Sequence, residues 1–204
     1  MRLTGLDGHR IAIRALEVQT EEMELNLPGI PLKEIAKLLN NEEQKVDLCV
    51  TEHLACFLMP DVWASMRLVD GKYFDISAFL QDKTNRNIRI DKTQLKDSVS
   101  RALLLLADKV QKPLVVQVAE NKVTLEAATT AGEMSESINA VTEGESEPLR
   151  IGYNPRYLME ILQAIEDETI DLSLGGAKDP CLIKGMDYLY VLLPVSLGKT
   201  EAAL

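Results

Sequence analysis

Two constellations in this 204-residue chain hold side chains of the kinds that catalysis or metal binding uses. The first is LDGHRIAI, Leu6 to Ile13, where Asp7 precedes His9, one of only two histidines. A carboxylate can orient an imidazole as a general base. Asp7-Gly8 is also a strong tight-turn signal, and no nucleophile or glycine-rich elbow accompanies the histidine. The turn is therefore the better account of this run, and no catalytic residue is expected. The second is CVTEHLAC, where Cys49, His53 and Cys56 would need a fourth ligand such as Cys181 to hold zinc. Both cysteines fall in short apolar segments with His53 near the turn between them, which is how ordinary half-buried strand residues are placed. Neither a metal nor a cofactor is expected. SLGGAKD lacks the Gly-Lys-Ser/Thr ending and following helix of a phosphate loop, so it reads as a hairpin loop. With no Walker loop, GxGxxG or HExxH, the chain is not expected to be an enzyme.

Composition narrows the class further. An apolar content of 46% supports ordinary cores. Three scattered cysteines without a CxxC point to reduced thiols and a cytoplasmic protein, and runs such as RALLLLADKV are too short to span a bilayer. The formal charge of -10 argues against a conventional free DNA binder, which needs a basic surface to neutralise phosphates.

The elements that must position these residues follow from periodicity. IPLKEIAKLLNN puts Leu32, Ile35 and Leu39 on one helical face, with Pro31 in the first turn. DKTQLKDSVSRALLLLADKV opens with Asp91 and Gln94 at capping-box spacing and runs through Leu95, Val99, Leu103, Leu106 and Val110. NPRYLMEILQAIED has Asn154 as N-cap, Pro155 inside it, and Leu158, Ile161, Leu162 and Ile165 as its stripe. Each helix follows a short alternating stretch (EMELNL, NIRID, LRIGY) and precedes three more, such as TIDLSL, CLIKG and YLYVLLPV. The organisation is a βαβββ repeat, with helix starts at Pro31, Lys92 and Pro155, 61 and 63 residues apart. This predicts an α+β fold with helices on one face of antiparallel sheets. The Gly/Asp/Asn-rich connector LVDGKYFDISAFLQDKTNRN divides the chain into residues 1–85, a hairpin plus one repeat, and 86–204, two repeats and a tail.

With these repeats in place, GLDGHRIAI, MRLVDGKYFD, IGYNPRYLMEIL and YLYVLLPVSL, in that order, resemble the bacterial DNA sliding clamp, the beta subunit of DNA polymerase III. The resemblance runs over nearly the whole chain. It would cover the later part of the clamp's middle domain and the whole third domain. It implies a non-catalytic processivity scaffold of DNA replication, a homo-oligomeric ring whose helices line a hole that duplex DNA passes through. Weak phosphate contacts then suffice, and an acidic chain is compatible with them. The cations expected to face DNA are Lys33, Lys37, Lys92, Lys96, Arg101 and Arg156.

In that family the polymerase, the clamp loader and repair proteins dock a short apolar peptide between the middle and third domains. Carried over by motif, one wall is Leu6, Gly8, His9, Arg10 and Ile11 with Phe74 and Phe79. The other is Val191, Leu193, Pro194, Val195, Ser196 and Leu197. An exposed turn and a terminal strand carrying such side chains also make a sensible peptide pocket without the family. Several positions depart from the pattern: Phe74 stands for a usual proline, Ala78 for a common arginine, Leu6 for a threonine, and Leu193-Pro194-Val195-Ser196-Leu197 for Met-Pro-Met-Arg-Leu. The pocket stays apolar and loses polar handles, and the tail GKTEAAL is positioned to shade it. The alternative is a clamp-derived peptide-binding module that does not encircle DNA. The hairpin of residues 1–17 is expected to leave an uncovered edge, which predicts self-association as a dimer or a four-chain ring.

Overall fold

A computed structural model describes residues 1–18, 21–39, 45–80, 83–106 and 112–197. The expected end of the second helix at Val110 and the tail after Leu197 lie outside the described residues.

The described chain forms strands β1 (Arg2–Leu6) and β2 (Arg10–Ala15), helix α1 (Gly29–Ala36), and strands β3 (Asp47–Val50), β4 (Leu54–Leu58) and β5 (Trp63–Arg67). A 3-10 turn, Ser77–Phe79, leads to β6 (Arg86–Asp91), α2 (Lys92–Leu106), β7 (Leu114–Ala119), β8 (Lys122–Thr129) and β9 (Gly132–Gly144). The chain then continues through β10 (Leu149–Tyr153), α3 (Pro155–Ala164), β11 (Thr169–Leu174), β12 (Cys181–Lys184) and β13 (Tyr188–Leu192). This is the α+β class read from the sequence.

Two compact units emerge. The larger joins Met1–Glu17 to the chain from Ser77 onward, and the smaller is Val18–Ile76. This differs from a cut near Asn85 because hairpin β1–β2 pairs with β13, Ile11 opposite Val191 and Arg10 opposite Leu192. Five paired positions of this ladder tie the hairpin into the larger unit.

That unit is built on a ten-stranded antiparallel sheet in the order β1-β2-β13-β12-β11-β6-β9-β8-β7-β10. Alternation gives it one apolar face: Ile88 and Ile90 point inward from β6 while Asn87 and Arg89 point outward. Helices α2 and α3 cover the apolar face, α2 with Leu95, Val99, Ala102 and Leu106, α3 with Leu158, Met159, Ile161 and Leu162. Both N-caps act as their spacing implies. Asp91 Oδ1 accepts the Gln94 N–H at 2.8 Å, and Asn154 Oδ1 accepts the Arg156 N–H at 3.0 Å. Strand β9 serves two partners in turn, β8 through residues 132–139 and β6 through 140–144, so the sheet bends across it.

The smaller unit holds α1 and the three-stranded antiparallel sheet β3-β4-β5. Two expectations fail here. EMELNL makes no strand, because its one backbone bond in view is the Val69 N–H to Asn26 C=O at 2.8 Å, and a single bond is not a ladder. The first βαβββ repeat therefore lacks its opening strand. Helix α1 stops at Ala36, short of the expected stripe, so Leu39 lies outside it and is exposed, while Leu32 and Ile35 are half-buried. No described helix is long and apolar enough to cross a membrane.

Candidate functional site

The turn that opens the sequence argument is closed by the Asp7 N–H donating to the Arg10 carbonyl at 3.3 Å. Gly8 sits at φ +84°, a left-handed conformation that a side chain would strain. The Asp7 carboxylate is not aimed at an imidazole. It accepts the backbone N–H of His9 at 3.2 Å and Arg10 Nε at 2.8 Å. Partial burial pushes this carboxyl up, but the Arg10 hydrogen bond, the His9 N–H and the Arg10 charge together hold it below its usual value. His9 instead stacks on Tyr157 of α3, ring centroids 5.6 Å apart at 24°. Arg10 lies over the same ring at 4.5 Å and reaches Glu160 of α3 at 2.8 Å.

Helix α3 thus presents Tyr157 and Glu160, one turn apart, to the hairpin, while its buried stripe fixes it on the sheet. A cavity of about 310 Å³ lies on the hairpin side, lined by Leu6, Arg10, Ile11, Glu160, Ile161 and Tyr190 among others. A second, of about 370 Å³, lies on the other side of the same turn of α3, lined by Leu103, Leu106, Pro113, Arg156, Tyr157, Glu160 and Val195 among others.

The segment after β13 completes the site. The Leu193 N–H donates to the His9 carbonyl at 2.9 Å, and the Val195 N–H to the Gly152 carbonyl at 2.8 Å. Gly152 permits this crossing, since a Cβ there would come within 2.8 Å of Leu197 Cδ2 and of the Val195 carbonyl. Leu193 to Leu197 therefore run from β13 to the edge strand β10, and Val195 lines the second cavity together with Tyr157.

Of the residues expected to form the walls, Leu6, Gly8, His9, Arg10, Ile11, Val191, Leu193, Pro194, Val195, Ser196 and Leu197 all belong to the larger unit. Val191 is fully buried and Ile11 nearly so, which makes them the support beneath the groove rather than its contact surface. Phe79 is half-buried in the 3-10 turn, and Phe74 is exposed in the smaller unit. Tyr157, Glu160, Ile161 and Tyr190 were missed as site residues. An aromatic and an acid at i and i+3 beside a helix N-cap were the available signal, and both also fit a plain surface helix.

Several of the cations expected to face DNA have partners within the chain. Lys92 Nζ donates to the carbonyls of Ile165 at 2.9 Å and Glu166 at 3.1 Å, so it caps the chain leaving α3. Arg101 makes a paired hydrogen bond to Glu136 of β9 at 2.6 and 2.7 Å. Lys37 pairs with Glu34 at 2.7 Å. Lys33 is exposed, Lys96 half-buried, and Arg156 exposed at the second cavity. Cys49 and Cys56 lie in the smaller unit and Cys181 is buried in the larger, and no metal-binding cluster of three or more His, Cys, Asp or Glu occurs among the described residues.

Comparison with known proteins identifies the family. Residues 78–195 match the family model for the C-terminal domain of the DNA polymerase III beta subunit, and residues 1–75 match that for its central domain. The chain belongs to the DNA polymerase III beta subunit family. Sliding clamps of DNA replication are its curated relatives: the beta sliding clamp of Bacillus subtilis is 27% identical over 186 residues, 89% of this chain and 49% of that protein. Among solved structures, a DNA polymerase III beta subunit from Eubacterium rectale superposes with a TM-score of 0.89 at 30% identity, covering 95% of this chain and 54% of that one. The Bacillus subtilis sliding clamp gives 0.89 at 26% identity, covering 97% and 54%. This chain thus spans about half the length of the clamps it matches.

Proposed function

We propose that this chain acts as part of a non-catalytic sliding-clamp scaffold and docks short apolar peptides of partner proteins in the groove around Tyr157. The partners of that reading are a DNA polymerase, a clamp loader and repair proteins, with duplex DNA encircled by an oligomer and held by topology rather than by strong contacts. The clamp pattern places a domain boundary near residue 85, and in this chain hairpin β1–β2 joins the larger unit with the residues beyond that boundary. The observation that carries the reading is the convergence of two segments about 180 residues apart in sequence on one helix turn, with a cavity on each side of it. Apolar burial in such a groove contributes about 25 cal/mol per Å², less the cost of ordering the peptide, so affinity is modest. The test is a titration of a fluorescent apolar pentapeptide against the wild-type chain and Leu193→Asp. Binding lost in the variant supports the groove; equal binding by both places the site elsewhere.

The second reading, a peptide-binding module that does not encircle DNA, is favoured by one observation. Lys92 donates to two backbone carbonyls, and Lys37 and Arg101 pair at the surface with Glu34 and Glu136. Retention on closed circular DNA, compared with the same DNA linearised, separates the two. A ring is released by linearisation, whereas a module is retained on neither.

A further inference from the structure

We propose that Cys49 and Cys56 form a reversible thiol–disulfide modification site on the three-stranded sheet, taking hydroperoxides as oxidant. The two residues stand directly opposite each other in the β3–β4 ladder. Opposed residues share a face of the sheet, so both side chains point to the same side.

Backbone geometry suits the bond. The hairpin closes with the Thr51 N–H donating to the Leu54 carbonyl at 2.9 Å. Hydrogen-bonded and non-hydrogen-bonded pairs alternate along an antiparallel ladder, so Cys49–Cys56, two residues on, is again a hydrogen-bonded pair with Cα atoms about 5.5 Å apart. Disulfides accept Cα separations of about 4.4–6.8 Å, so the Cα spacing is within range. Cβ atoms of hydrogen-bonded pairs sit at the wide end of about 4.5–5.5 Å, beyond the about 3.5–4.5 Å of a disulfide, so the two strands must close in locally by about 1 Å to make the bond. The bond is therefore strained, and strained exposed disulfides are the easily reduced, reversible ones.

Access is graded in the right order. Cys49 is exposed, Cys56 half-buried and Cys181 buried. A hydroperoxide, ROOH, oxidises the Cys49 thiol to a sulfenic acid and leaves as ROH. The Cys56 sulfur then attacks the sulfenic sulfur, the S–S bond forms and water leaves, so two thiols are oxidised and one O–O bond is reduced. Cys181 stays out of this chemistry because burial pushes its thiol up to about 12 despite the opposing Tyr153 hydrogen bond. The smaller unit buries only Ala55, Met59, Met66 and Ile76 among its described residues, so the cross-link joins two strands where packing is thinnest.

The test uses the full chain, native, with hydrogen peroxide as probe and a chromogenic disulfide reagent to count accessible thiols. Before treatment two of the three cysteines react; afterwards none does, the intact mass falls by two hydrogens, and dithiothreitol restores both thiols. Cys181→Ser behaves as wild type. In Cys56→Ser the treated protein gains oxygen on Cys49 instead of losing hydrogen. Trp63, the only tryptophan, stands diagonal to Cys56 across β4–β5 at about 7–8 Å, so its fluorescence falls on oxidation of wild type and not of Cys56→Ser. The proposal is overturned if oxidised wild type retains a Cys56 thiol, carries only oxygen adducts, or forms disulfide-linked dimers in place of the internal bond.

Discussion

Replacing Tyr157 with leucine isolates what orders the hairpin wall of the groove. Leucine retains apolar bulk on α3 but removes the ring face, and the buried stripe of Leu158, Met159, Ile161 and Leu162 that seats the helix is untouched. Two contacts disappear: the His9 stack at 5.6 Å and the Arg10 contact at 4.5 Å. An aromatic pair contributes about 0.5–1.5 kcal/mol and an exposed cation–π contact about 0.5–1 kcal/mol, so the turn loses about 1–2.5 kcal/mol of ordering. The Arg10 pairs with Asp7 and Glu160 persist, but they are surface pairs of about 0–1 kcal/mol each and do not replace the ring. If a peptide binds only the ordered wall, its affinity falls about 5- to 70-fold, while Tm falls by about 2–10 °C. Fluorescence anisotropy with a labelled apolar pentapeptide reads the first quantity and thermal unfolding the second. A cycle with His9→Leu adds the sharper criterion: a coupling of about 0.5–1.5 kcal/mol between positions 9 and 157. Affinity within twofold of wild type, or strictly additive losses, refutes the assignment of Tyr157 as the residue that positions the turn.

Three other outcomes are expected. Lys92→Met should destabilise the larger unit by about 1–3 kcal/mol, because two carbonyls lose a charged donor, while leaving any DNA retention unchanged; denaturant unfolding and circular-DNA retention check the two halves. Asp7, whose folded-state carboxyl is lowered, contributes stability above its unfolded range near pH 4 and loses it as pH falls through the lower folded value, so peptide affinity should drop at acid pH and Asp7→Asn should flatten the profile. Strand β1 has no second partner among the described residues and leaves Met1, Leu3 and Leu6 exposed, so light scattering over a dilution series should show self-association that Leu3→Lys weakens; a stable monomer throughout contradicts it.

What the sequence made legible were local features with a physical signature. Asn154 and Asp91 stood at cap positions and cap their helices, and Asp7-Gly8 predicted a turn that Gly8 makes with a positive φ. Strands such as LRIGY and TIDLSL appear with the boundaries their alternation implied. Long-range pairing was not legible. Nothing local says that Ile11 lies opposite Val191, and that register moves the hairpin into the larger unit. Periodicity also overreached at EMELNL, where alternation was present but no neighbouring strand among the described residues supplied a ladder. The partners of the basic residues were not legible for the same reason. Lys92 and Arg101 were visible as charges, whereas the carbonyls of Ile165 and Glu166 and the carboxylate of Glu136 that occupy them come close only in the folded chain. Tyr157 sat inside a recognised motif, yet its place against His9 depends on the docking of a hairpin far away in sequence.

The central claim, that the groove around Tyr157 is where partner peptides dock, is tested most directly by a crystal structure of this chain with a bound apolar pentapeptide. The account predicts peptide side chains in the cavities on the two sides of Tyr157 and Glu160, in contact with Leu6, Arg10, Leu193 and Val195. A peptide seated on the outward face of the ten-stranded sheet, or on the three-stranded sheet of the smaller unit, would contradict it.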